Sequence, residues 1–170
     1  MAASAVRRFI IVFLLCLLTG FGALFTPPVQ RADVAFSRQL VGIAYNLVVL
    51  FGGHATRDAA ILRSPGGFGV EMRDGCNAVN VTILLFSAVL AFPASWKMKA
   101  AGLVAGSVLI QVVNIVRFIS LFYLGQWSPN WFDFFHSYVW ESLIVLDTMV
   151  VFWFWVSRVL RMGTVKHAEA

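Results

Sequence analysis

Four apolar runs long enough to cross a bilayer, or nearly so, constrain this chain more than any other feature. A spanning helix needs about 20 mostly apolar residues. Residues 9–25, 76–93, 100–124 and 138–157 meet or approach that length. The chain is 60% hydrophobic and 12% charged, whereas a soluble domain carries about 25% charged residues. Its 170 residues therefore predict one small integral membrane domain. The expected fold class is an all-α membrane protein with about four transmembrane helices. An outer interfacial amphipathic helix and a short extracytoplasmic β-hairpin complete it.

Orientation follows from the basic residues, which concentrate on the cytoplasmic side of membrane proteins. Arg7 and Arg8 precede the first run, Lys97 and Lys99 separate the second from the third, and Arg158, Arg161 and Lys166 follow the fourth. Placing all three clusters in the cytoplasm puts both termini there and residues 26–75 outside. The segment 34–51, apolar but carrying Arg38, Gln39 and Asn46, is then expected to lie on the outer surface. Were it to span, Lys97 and Lys99 would fall outside. The first run is expected to remain as an uncleaved helix, because Pro27-Pro28 follows it instead of a small-x-small cleavage site. The net charge of +5 sits mainly at helix ends, so the bilayer is the expected partner and no nucleic-acid partner is implied.

Two further segments read as extramembranous. Residues 55–74 predict a hairpin, with Ser64-Pro65-Gly66-Gly67 as its turn. Phe68, Val70 and Met72 alternate there with Gly69, Glu71 and Arg73, the period of a strand. Residues 125–137 hold Trp127, Trp131, Phe132, Phe134 and Phe135. Aromatic rings favour the headgroup level, so this stretch reads as an interfacial loop.

Three costly groups then fall at the outer ends of three different helices. Cys76 opens the second run; with Asp74 as N-cap it would be the second helical residue, where free amides and the helix dipole favour a thiolate. The alternative is a packed boundary cysteine, since cysteine is among the most often buried residues. Arg117 lies seven residues before the end of the third run, about 10 Å below the surface. An intramembrane arginine points to function, with Asn114 one turn away on the same face. It could equally pair with Glu141 or Asp147, because a buried charge needs a partner. His136 precedes the fourth run and can exchange protons near neutral pH. Cys16 lies mid-helix and reads as a small hydrophobe. No spacing of His, Cys or carboxylates forms a metal motif, and no cofactor is expected.

At Asp74-Gly75-Cys76-Asn77-Ala78, Asn114-Ile115-Val116-Arg117-Phe118 and Phe134-Phe135-His136-Ser137 the chain resembles the exosortase/archaeosortase family of membrane cysteine transpeptidases. The compact exosortase H type is the most similar. The resemblance covers roughly residues 34–157. Many members carry Cys-Ser-Gly where this chain has Cys76-Asn77-Ala78. The resemblance implies catalytic Cys76, Arg117 and His136. Asp74, Asn77, Asn114 and Glu141 are the expected supporting or substrate-binding residues. It also implies an inner-membrane enzyme with its site on the periplasmic face. Its substrates would be secreted proteins bearing a C-terminal sorting signal, composed of a motif, a transmembrane helix and a basic tail. Two other classes stay open from the residues alone: a membrane scaffold with an Arg117–Glu141–Asp147 network, and a small transporter with those charges lining a path.

Overall fold

The computed structural model describes residues 2–73 and 75–168, with side chains over 3–73 and 75–162. Helix α1 (Ala2–Leu24) is followed after Thr26 by α2 (Pro27–Leu50). Pro27 and Pro28 start the second helix, where their missing N–H groups cost nothing and their fixed φ suits the first turn. Three short strands follow, β1 (Thr56–Asp58), β2 (Ile61–Arg63) and β3 (Gly69–Glu71). Helices α3 (Val79–Ala91) and α4 (Trp96–Trp127) come next, then α5 (Pro129–Phe134), a π-helical turn Phe135–Val139, and α6 (Trp140–Ala168). Pro93 separates α3 from α4; the residue before a proline avoids the helical region, and Phe92 is extended.

Among the described residues four helical stretches are long and apolar enough to cross a membrane: Ala3–Leu24, Pro27–Leu50, Trp96–Trp127 and Pro129–Met162. This is an all-α membrane fold with a small sheet. Its helices differ from the expected set in three ways. The run at 76–93 shortens to the 13-residue α3, which rises only about 20 Å. The segment expected at 34–51 starts at Pro27 and reaches 24 residues. The stretch 125–137 is not a loop: α4 continues to Trp127, and α5 and the π turn run on into α6.

The predicted hairpin is a three-stranded antiparallel meander in the order β1-β2-β3. A second tight turn at Ala59, with φ 52°, adds the unforeseen strand. The alternation over 68–73 is as read: Val70 and Met72 are buried while Gly69, Glu71 and Arg73 are exposed.

Two apolar clusters organise the chain. Leu40, Val41, Ala44 and Val48 of α2 meet Leu62, Val70 and Met72 of the sheet and Phe118 and Phe122 of α4. Where such side chains leave water, each contributes about 1.5–3 kcal/mol. The second cluster joins Ala78, Leu85 and Val89 to Ile110 of α4 and Ile144 and Trp155 of α6. Helices α3 and α4 are antiparallel. Lys99 donates to the Leu90 carbonyl at 2.5 Å at one end of the bundle, and Gln111 donates to the Asn77 carbonyl at 3.1 Å nearer the other. Helix α2 keeps to that second end. Asp33 and Ser37 near its start accept from Asn77, and Gly53 just beyond its end abuts the Tyr123 hydroxyl.

Candidate functional site

Cys76 is not helical. Its amide donates to the Arg73 carbonyl at 2.9 Å, closing a tight turn that leads out of β3. Gly75 (φ 86°) and Ala78 (φ 61°) both take left-handed backbone, and α3 begins only at Val79. The expectation that Asp74 caps a helix with Cys76 as its second residue fails for this reason: two left-handed residues intervene before the first helical turn. Asp74 itself lies outside the described residues.

Asn77 holds this turn in place. It is fully buried, at 0% exposure. Its amide nitrogen donates to Asp33 at 2.6 Å and to Ser37 at 3.0 Å. Its amide oxygen accepts from the Val79 N–H at 3.1 Å, and its backbone carbonyl accepts from Gln111. One side chain thus ties α2 to the start of α3, and the adjacent peptide is tied to α4. Asn77 points away from Cys76's cleft, so its role is to support the turn rather than to line the site.

His136 arrives from the opposite direction. The π turn Phe135–Val139 adds a residue to the helical register, a feature frequent at functional sites. The ring of Phe132 stacks on the imidazole with centroids 5.6 Å apart and planes 14° apart. Phe132 is itself held edge-on by Phe68 of the meander, at 5.6 Å, and Phe68 fills the space left by the missing side chain of Gly125. The outcome is a Cys76 Sγ to His136 Nε2 separation of 3.7 Å, the reach of a weak sulfur hydrogen bond.

A cleft of about 350 Å³ opens beside this pair, lined by Gly69–Glu71, Arg73, Cys76, Asn114, Arg117, Phe118, Leu121, Phe132 and His136. Arg117 is 5% exposed, and among the described residues it forms no ion pair. The alternative of a pairing with Glu141 or Asp147 is therefore not the one adopted. Glu141 is exposed on the first turn of α6 and does not line the cleft. Asn114, one turn from Arg117, is 0% exposed, and neither its amide nitrogen nor its oxygen has a partner among the described residues. A buried amide without partners costs about 1–3 kcal/mol, which a bound polar group would offset. On the rim, Arg73 pairs with Glu71 at 2.8 Å; that hydrogen bond and charge raise the Arg73 pKa further above its ordinary value.

The chemistry of this cleft is that of a nucleophile beside a base, with a cation and an unengaged amide at hand. Cys76, Arg117, His136 and Asn114 come together; Asn77 supports from behind; Glu141 stands apart. Sequence reasoning missed Asp33, Ser37 and Phe132. The four-residue spacing of Phe132 and His136 on one helical face was the available signal for the last. Among the described residues no three of His, Cys, Asp and Glu cluster closely enough to hold a metal ion. A larger groove of about 860 Å³, almost wholly apolar, lies between α1, α2, α3 and α4 and includes Cys16; it brings together no nucleophile and base.

No protein-family model matches this chain, and neither a curated protein nor a solved structure matches it.

Proposed function

We propose that the protein is a membrane cysteine peptidase or transpeptidase. It would cleave a C-terminal sorting signal from secreted proteins and pass the acyl group to water or to an amine of the cell envelope. The 3.7 Å approach of Cys76 to His136, in a cleft that also holds Arg117 and Asn114, carries this reading. The Cys76 thiol gives its proton to His136, and the sulfur attacks the scissile carbonyl carbon, forming a C–S bond as the carbonyl electron pair moves onto oxygen. Arg117 and the Asn114 amide stabilise the oxyanion, an interaction strengthened where water is excluded. Collapse breaks the C–N bond, and the imidazolium delivers its proton to the leaving amine. Water or an acceptor amine then attacks the thioester and regenerates the thiol.

The turn geometry adds support. The family that the sequence resembles often carries glycine where this chain has Ala78, and Ala78 adopts the positive φ that glycine favours.

In the same reading the protein lies in the inner membrane with both termini cytoplasmic and the cleft towards the periplasm. One observation favours that arrangement, and the depth at which it places the turn is compatible with the packing there. Lys97 and Lys99 mark the end of the bundle opposite the cleft. With that end at the cytoplasmic face, the 20 Å or so of α3 leaves Cys76 about 10 Å short of the far edge of a 30 Å hydrocarbon core. Open backbone at that depth is tolerated only where it is buried in protein or lines a water-filled cavity; α2 packs on β1 and β2, α4 on β3, and Phe132 of α5 on Phe68. Helix α2 then lies at the outer leaflet instead of crossing.

The test is co-expression with secreted reporters carrying a motif, a transmembrane helix and a basic tail. Wild type should release the tail and accumulate a thioester, and Cys76→Ala should do neither while keeping the same melting temperature. Tail release by Cys76→Ala at the wild-type rate would sink the reading.

A further inference from the structure

Among the described residues strand β3 is an edge strand, hydrogen-bonded to β2 alone. Its outward side faces the thiol. Successive strand residues point to opposite faces, yet Gly69, Val70 and Glu71 all line the Cys76 cleft. Three consecutive residues can do so only if the strand presents its backbone edge there. The hydrogen-bond phase agrees. Ser64 N–H donates to the Phe68 carbonyl at 2.8 Å and Met72 N–H to the Ala60 carbonyl at 2.9 Å, on either side of the Leu62–Val70 pair. Antiparallel partners alternate between bonded and non-bonded pairs. Phe68, Val70 and Met72 therefore spend their backbone groups on β2, and the N–H and C=O of Gly69 and Glu71 point into the cleft. The same edge runs through Arg73 directly into the turn that holds Cys76.

We propose that this edge receives the substrate as a fourth strand, and the inference rests on the peptidase reading above. The occupant is an extended peptide segment ending at the scissile bond. Main-chain bonds to Gly69 and Glu71 hold it, as in strand addition to other sheet edges; the Asn114 amide nitrogen serves the oxyanion, and its unpartnered amide oxygen accepts from a backbone N–H next to the reacting carbonyl. The pairing is parallel. β3 leads through the Cys76 turn into α3, and a sorting motif likewise leads into its own membrane helix, so both chains head the same way. Recognition of this kind reads the backbone of the segment first. Side-chain preference enters only at alternate positions, those facing Phe118, Leu121 and Phe132.

The test uses the full-length protein in detergent. A reporter cleaved in cells gives the scissile bond. Synthetic peptides of that sequence then carry a single backbone N-methyl group at each position in turn. Strand addition predicts a period of two. Methylation at alternate nitrogens before the scissile bond raises KM about tenfold, and methylation at the intervening ones changes it less than twofold. Glu71→Pro, which removes one outward N–H and leaves the β2 ladder intact, raises KM for the unmodified peptide by a similar factor. A response to N-methylation without alternation, or a KM unchanged in folded Glu71→Pro, overturns strand addition and leaves the thiol chemistry standing. The peptides test the wild-type protein, so the outcome does not depend on the variant folding. No cleavage of any reporter by wild type overturns the peptidase reading, and strand addition with it.

Discussion

The Sγ of Cys76 stands 3.7 Å from Nε2 of His136, although the two residues belong to different elements and reach the cleft from opposite sides. Neither is placed by its own helix register alone. Cys76 is set by the turn behind β3, and His136 by the π turn before α6. A general base at this position contributes about 10²–10⁴-fold to rate. His136→Ala is therefore expected to lower kcat by that factor, with acyl-enzyme formation slowed in single-turnover assays and the melting temperature in detergent within a few degrees of wild type.

Asn114 separates function from stability. Its amide is buried without partners, so Asn114→Leu removes an unsatisfied polar group and is expected to hold stability level or raise it by about 1 kcal/mol. Cleavage should nevertheless fall by about 10²-fold, the order seen when an oxyanion donor is lost. Thermal unfolding in detergent and steady-state cleavage of one reporter check the two halves. A variant that is both stable and fully active would remove Asn114 from the site.

Asn77 should behave in the opposite way. Asn77→Ala deletes the bonds to Asp33, to Ser37 and from the Val79 N–H, one of them to a charged group. The expected loss is about 3 kcal/mol, read as a lower unfolding temperature. Because Asn77 acts through the Cys76 turn, the rate at which a small alkylating reagent modifies Cys76 in the folded protein should change as well. Asn77→Ser, which keeps a short hydrogen-bonding side chain, should recover part of both.

Phe132 orients the imidazole. Phe132→Leu keeps an apolar side chain but loses the stacking on His136, an interaction worth about 0.5–1.5 kcal/mol. A fall in kcat of about tenfold with KM nearly unchanged is expected, and Phe132→Tyr should stay close to wild type. If Phe132→Leu alters KM alone, the ring contacts substrate instead of holding His136.

Much of this molecule was legible along the chain. The apolar runs announced a membrane fold. The alternation over Phe68–Met72 is a real strand, and the three-residue spacing of Asn114 and Arg117 puts both on one face of α4; Pro27-Pro28 and Pro93 bound helices whose limits differ from the expected 34–51 and 76–93. These features depend on neighbours a few residues away, so hydropathy and backbone preference suffice to encode them. Tertiary structure decided the rest. It withheld helix from Cys76 through two left-handed residues and turned Asn77 towards α2 instead of the cleft. It left Glu141 outside the site and Arg117 without a described carboxylate. It also brought His136 to the thiol across 60 positions. A contact of that kind is the sum of several helix packings and one π turn, and each adds its own small rotation, so no local pattern in the sequence contains it.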